Sequence, residues 1–179
     1  NDQAYAGLER AQTELGITFR TLETGEGADR EAAMRQLAAG DAGLIFGVGF
    51  LFTDDIRKLA LEFPDKKFAC VDYTVNAGDM LPANLVALKF KEEEGSYLVG
   101  ALAGLLSTTG KVGFVGGMQI PLIKKFEAGY VAGVRAVDPK AEVIIKYAGT
   151  TGSAFKDPTK GKELALAEYN QGADIIYHA

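Results

Sequence analysis

Apolar residues recur along this chain in two patterns that alternate almost throughout. Residues 4–15 carry apolar side chains at helical spacing, whereas residues 42–48 and 68–73 are short apolar runs, typical of strands that are buried on both faces. The alternation predicts helices at residues 4–15, 29–39, 53–63, 92–107, 121–137 and 158–170, and strands at residues 17–22, 42–48, 68–73, 85–90, 111–115, 143–147 and 173–177.

This order of helices and strands predicts an α/β fold in which parallel sheets are flanked by helices. The pattern begins on a helix with no strand before it and ends on a strand with nothing after it. We therefore expect an incomplete fold. The 179 residues are 47% hydrophobic and 24% charged, a composition that excludes intrinsic disorder.

Charge and the counts of cysteine and histidine argue against several classes of function. The net charge is -5 and neither half of the chain has an excess of basic residues, so a nucleic acid polymer is not an expected partner. The chain has a single cysteine, Cys70, and a single histidine, His178. A metal site built on cysteines and histidines, or a Ser-His-Asp triad, is therefore not expected. With no nucleophile beside a base, the sequence favours binding over catalysis and predicts neither cofactor nor metal.

The loops that follow the strands are the candidate binding positions, because parallel sheets bind ligands at the carboxyl ends of their strands. The first such loop offers Phe46, Gly49 and Phe50, with flat aromatic faces and a glycine that lets a ligand approach the backbone. The alternative is a plain strand-to-helix turn. Asp72 follows the next apolar run and is suited to accept hydrogen bonds from a ligand, or else to cap a turn.

Two more loops stand out in the second half of the chain. Residues 115–118 contain two glycines, predicted to form a turn, and end on Met118; such a turn can cradle a polar ligand or simply connect a strand to a helix. Phe155 lies in a polar loop, where it could stack on a planar ligand or anchor the loop on the next helix. The charged residues 92–94 and 124–125 are expected to form solvated helix surfaces.

Several of these motifs, taken in order, resemble the basic membrane protein family. Its members are substrate-binding lipoproteins of ATP-binding cassette (ABC) importers, of the purine nucleoside receptor type. The resemblance extends over essentially the whole chain and is carried by residues 68–72, 95–100, 112–118, 126–134 and 151–158.

The resemblance implies a two-lobed, type I periplasmic-binding-protein-like fold. The N-terminal lobe would be residues 1–90, without its first strand, and the C-terminal lobe residues 91–179, in part. It also implies a receptor that captures a purine nucleoside and delivers it to a membrane permease. Such a receptor would be extracytoplasmic, either periplasmic or anchored as a lipoprotein.

The resemblance also implies ligand contacts at particular positions. Asn1 and Asp72 would hydrogen-bond the nucleoside, Phe46 or Phe50 would line the wall of the first lobe, and Phe155 would stack on the base. Two other interpretations stay open. One is a Rossmann-like enzyme that binds a nucleotide cofactor at the first loop, and the other is the ligand-sensing domain of a regulator.

Overall fold

The computed structural model describes residues 2–24, 29–75 and 78–179. The chain divides into two compact units, Asn1–Lys89 and Phe90–Ala179. No helix within the described ranges is both long enough and apolar enough to span a membrane.

The first unit contains one parallel three-stranded sheet in the order β1-β2-β3. Its strands are short, and Phe68 in β2 lies opposite both Ile45 in β1 and Leu85 in β3. The elements are α1 (Asp2–Leu15), α2 (Asp29–Ala39), β1 (Leu44–Val48), a 3-10 helix (Phe50–Phe52), α3 (Thr53–Glu62), β2 (Lys67–Val71) and β3 (Leu85–Leu88).

The core of the first unit lies on one face of this sheet. Side chains of α2 and α3 pack there against alternate residues of the strands. The Asn84 side chain donates hydrogen bonds of 2.8–3.1 Å to three carbonyl oxygens at and after the end of α3, those of Ala60, Phe63 and Lys66. The buried cluster comprises Met34, Ala38, Ile45, Ile56, Leu59, Ala60, Phe68, Cys70, Tyr73 and Leu85.

Two predictions for the first unit are wrong. Residues 17–22 form no strand, and Ile17 and Leu22 are exposed; a strand needs a neighbour to complete its hydrogen bonds, which a local pattern cannot reveal. Residues 42–48 were expected to be buried on both faces, but β1 buries Ile45 and leaves Leu44 and Phe46 exposed. Helices α2 and α3 therefore cover a single face of β1.

The second unit contains a parallel sheet in the order β5-β4-β6. Because β4 lies at the centre, its neighbours β5 and β6 are reached by crossovers that run in opposite directions. The elements are α4 (Glu92–Leu106), β4 (Lys111–Met118), α5 (Pro121–Val137), β5 (Glu142–Gly149), a 3-10 helix (Gly152–Lys156), α6 (Pro158–Tyr169) and β6 (Ile175–His178).

Aromatic rings fill the centre of the second unit. The Phe114 ring lies 6.1 Å from the Tyr130 ring and 5.9 Å from the Tyr177 ring, centroid to centroid. Tyr130 and Phe114 are fully buried, together with Val112 and Val134. With parallel sheets and packed helices in both units, the predicted α/β architecture is confirmed.

Candidate functional site

In the first unit, two of the predicted ligand-binding residues lie at the carboxyl edge of the sheet. Gly49 follows β1, and its N–H donates to the carbonyl of Val71 at 3.1 Å. Asp72 follows β2, and its N–H donates to the carbonyl of Leu88 at 2.9 Å. These bonds continue the ladder beyond the strands, so Gly49 and Asp72 lie side by side at one edge.

Asp72 has an unusual backbone conformation. Its φ is 59°, and no other non-glycine residue of the described ranges has a positive φ. The left-handed region costs an L-residue about 1–2 kcal/mol, although aspartate tolerates it better than most. Strain of this kind is concentrated at functional sites. The conformation therefore adds to the case for Asp72 as a ligand-binding residue.

Phe50 begins the 3-10 helix after β1, where a hydroxyl group holds its backbone. The Thr53 hydroxyl donates to the carbonyl of Phe50 at 2.7 Å and accepts from the N–H of Thr74 at 3.1 Å. One side chain thus joins the loop after β1 to the loop after β2. This role of Thr53 could not be predicted from the sequence, because Thr53 has the pattern of an ordinary helix start.

Phe46 stands apart from this edge. Phe46 lies in the middle of β1, opposite Ala69, and 43% of its surface is exposed. Its ring is on the sheet face that α2 and α3 leave open, two residues before the strand ends. Asn1 lies outside the described residues. The structure therefore brings together three of the five candidates in this unit, namely Gly49, Phe50 and Asp72.

In the second unit, Met118 and Phe155 mark the carboxyl edge. Met118 is the last residue of β4 and pairs with Gly149, the last residue of β5. Phe155 belongs to the 3-10 helix that follows β5, and its ring lies against the backbone of Gly117. Phe155 is 39% exposed, so one part of the residue is packed and another faces outward.

The glycine turn predicted before α5 is wrong. β4 continues through Gly116 and Gly117 to Met118, and both glycines are buried. Only residues 119–120 separate the strand from α5. The glycines are strand residues over which aromatic rings pack, so they do not offer an anion-binding turn.

A charged cluster that the sequence pattern does not predict lies at the start of α5. Lys124 donates to Glu127 at 2.8 Å, and its ammonium lies 5.2 Å from the centre of the Tyr147 ring. The Tyr147 hydroxyl donates to the same carboxylate. Burial, and then this bond, raise the pKa of Tyr147 above its usual value.

Lys125 also differs from the expectation of a solvated helix surface. Its ammonium donates to the carbonyl of Phe90 at 2.6 Å, pairs with Glu93 at 3.0 Å and also contacts Glu92. The side chain of Glu92 is 8% exposed. These contacts hold the first residues of the second unit against the start of α5.

The single cysteine of the chain lies in the core of the first unit. Cys70 is fully buried; burial, and then the charge of Asp72, raise the pKa of its thiol to about 12. At neutral pH it is therefore a protonated core residue and not a nucleophile. No group of three or more His, Cys, Asp or Glu residues within the described ranges is placed to hold a metal ion.

Comparison with known proteins gives a consistent result. The sequence model of the family described as "ABC transporter substrate-binding protein PnrA-like" (Bmp) matches residues 1–179. A CD4+ T-cell-stimulating antigen of Listeria monocytogenes is 37% identical over 184 residues, which cover all of this chain and 49% of that protein. The ABC transporter nucleoside-binding protein BmpA of Lactococcus lactis is 32% identical over 99% of this chain and 49% of its own length.

A solved structure shows the same likeness. An ABC transporter solute-binding protein from Aeropyrum pernix K1 is 31% identical, with a TM-score of 0.82, over all of this chain and 50% of that one. The predicted periplasmic-binding-protein-like fold class is confirmed, and the chain spans about half the length of the relatives it matches. The resemblance noted in the sequence is also confirmed: the chain belongs to the basic membrane protein family of PnrA-like ABC transporter substrate-binding proteins.

Proposed function

We propose that the full-length protein is a receptor that captures a purine nucleoside and delivers it to the permease of an ABC importer. The observation that carries this proposal is Asp72, whose carboxylate is borne by a backbone of positive φ beside Gly49, at the carboxyl edge of its sheet, in a family of substrate-binding proteins. One relative is itself named a nucleoside-binding protein.

The proposed contacts divide between sugar and base. The Asp72 carboxylate accepts hydrogen bonds from the ribose hydroxyls, for which a charged acceptor is well suited. Phe155 stacks on the base, because it combines a packed position with an exposed part of its ring. Base–aromatic stacking contributes about 1–3 kcal/mol, and a purine offers the larger ring system.

The remaining candidates have lesser roles in this proposal. Phe50 or Phe46 lines the wall around the ligand, Gly49 lets the ligand approach the backbone, and Met118 offers an apolar contact at the end of β4. Asn1, which the family resemblance assigns to a hydrogen bond with the nucleoside, completes the set. The division into lobes at residues 1–90 and 91–179 stays a prediction for the full-length protein.

The receptor is proposed to be non-catalytic and extracytoplasmic. Substrate-binding proteins of this kind bind and release an unchanged solute, and the protonated Cys70 thiol supports that role. A position outside the cytoplasm, periplasmic or as an anchored lipoprotein, follows from delivery to an importer.

A charge-neutral substitution at the first edge tests the proposed site. Asp72→Asn keeps the size of the side chain and its tolerance of positive φ, but removes the charge. We expect the affinity for inosine to fall about 10–100-fold, the cost of losing hydrogen bonds to a charged group. Isothermal titration calorimetry of the full-length protein measures it.

Asp65→Asn is the matched control. Asp65 is exposed in the turn before β2, at the opposite end of the strand, and its substitution changes the net charge equally. Its affinity should equal that of the wild type. Equal affinities of Asp72→Asn and the wild type would remove Asp72 from the site. Stabilisation by a nicotinamide or S-adenosylmethionine cofactor, without nucleoside binding, would instead favour the enzyme interpretation.

A further inference from the structure

Two adjacent glycines in the middle of a sheet require a physical reason. Gly116 and Gly117 lie in the central strand β4 and are both buried. Glycine weakens a strand interior and often marks a close approach by another group. Because successive strand residues face opposite sides of a sheet, the two glycines leave room on opposite faces.

An aromatic ring occupies the room on each face. A β-carbon added to Gly116 would lie 2.7 Å from a ring carbon of Tyr147, and one added to Gly117 would lie 2.5 Å from Cδ1 and 2.8 Å from Cζ of Phe155. Carbon atoms in contact are normally about 3.5–4.0 Å apart. Neither glycine could therefore carry a side chain unless the ring moved.

The two rings have different surroundings. Tyr147 packs into the core of the second unit, where its ring lies 6.3 Å from that of Phe114. Phe155 is 39% exposed and lies against Gly117, near the carboxyl end of β4. Gly116 thus makes room for a ring of the core. Gly117 makes room for the Phe155 ring, which is proposed to stack on the base of the ligand.

We propose that Gly117 is a positioning residue for the nucleoside: by lacking a side chain, it sets the height and tilt of the Phe155 ring. This inference rests on the proposed function. A methyl group at this position would have to displace the ring by about 1 Å. Ala154, the neighbour of Phe155 in the 3-10 helix, packs over Gly149 of β5, at 3.2 Å from an added β-carbon, and this contact keeps the backbone of the segment against the sheet. The ring would therefore tilt or move toward the space of the base.

A double-mutant cycle separates this effect from a general loss of structure. Inosine affinity is measured by calorimetry on the full-length wild type, Phe155→Ala, Gly117→Ala and the double variant. Phe155→Ala should lose about 5–150-fold, the value of one stacked base. Gly117→Ala alone should lose at least about 5-fold. In the Phe155→Ala background it should lose less than about 2-fold, because no ring remains to be displaced.

Gly116→Ala is the matched control, since it creates a comparable collision on the core face. It should lower the melting temperature and leave inosine affinity within about 2-fold of wild type. If Gly117→Ala does not fold, the double variant should fold, because Phe155→Ala removes the atoms with which the new methyl collides. Failure of the double variant to recover would overturn the inference.

The outcomes distinguish the inference from the proposed function. Gly117 does not position the ring if Phe155→Ala weakens binding but Gly117→Ala does not. The same conclusion follows if Gly117→Ala lowers inosine affinity as much in the Phe155→Ala background as in the wild type. In both cases the receptor proposal stands. If the wild type binds no purine nucleoside, the proposed function fails, and the inference fails with it.

Discussion

Glu168 is a carboxylic acid in a position that disfavours its charge. Its side chain is fully buried, and neither carboxyl oxygen has a hydrogen-bond partner among the described residues. The carboxyl group lies over Gly113, where an added β-carbon would be 2.9 Å from Cδ. Burial raises the pKa of Glu168 to about 7, although the positive charge of Lys146 opposes the shift.

This pKa predicts a pH dependence of stability. Between pH 4.5 and 7 the folded protein keeps the Glu168 proton that the unfolded chain loses. The free energy of unfolding should therefore fall by about 2–3 kcal/mol as the pH rises through that window, and stay level above it. Urea unfolding at pH 5 and pH 7.5 measures the difference.

Glu168→Gln should remove this part of the pH dependence, since an amide does not titrate. Glu163→Gln is the control on the same helix, because Glu163 is 65% exposed. Its pH profile should match that of the wild type. Parallel profiles for the wild type and Glu168→Gln would show that Glu168 titrates normally in the folded protein.

The sequence predicts individual candidate positions better than it predicts the residues that contact them. Asp72 and Phe155 were predicted from their place after apolar strands, a signal that depends on the chain alone. The role of Thr53 depends on Thr74, which is distant in sequence. Glu168 lies in a helix, and a glutamate in a helix is usually exposed. Contacts between distant residues account for what was missed.

Helices α4 and α5 approach each other closely because glycines lie along their contact. A β-carbon added to Gly133 of α5 would meet the Tyr97 carbonyl and lie 2.7 Å from the Ala101 nitrogen of α4. One added to Gly100 of α4 would lie 2.8 Å from the Tyr130 carbonyl carbon. The obstacles are backbone atoms, which cannot change rotamer.

Gly133→Ala should therefore destabilise the protein by roughly 3 kcal/mol, at the upper end of the range for overpacked cores. Gly95 lies in α4 and has nothing within 4 Å of an added methyl, so Gly95→Ala should stabilise that helix by about 0.5–1 kcal/mol. Chemical denaturation compares the two. A similar effect of both substitutions would contradict the close helix contact.

Most secondary structure could be predicted because it follows from local periodicity. The six helices of the described ranges begin and end within about two residues of their predicted limits. The prediction of a strand at residues 17–22 was wrong because a strand forms only where a neighbouring strand, often distant in sequence, pairs with it. The prediction of a turn at Gly116 and Gly117 was wrong for another reason, because glycine is typical both of turns and of positions that another group approaches closely. Only the positions of Tyr147 and Phe155 in the structure distinguish the two cases.

Considered as a whole, the chain carries candidate residues at the carboxyl edge of each sheet. Asp72 and Gly49 lie at the edge in the first unit, and Met118 and Phe155 at the edge in the second. The family was recognisable from motifs that occur in order along the whole sequence. This chain spans about half the length of its relatives. Ligand binding is therefore measured on the full-length protein.

Isothermal titration calorimetry of the full-length protein, freed of carried-over ligand, tests the receptor proposal most directly. The ligands are inosine, guanosine, adenosine and a pyrimidine nucleoside. We expect tight binding of the purine nucleosides and weak or no binding of the pyrimidine, since the stacking surface of Phe155 favours the larger base. A folded sample that gives no heat with any purine nucleoside would contradict the proposed function.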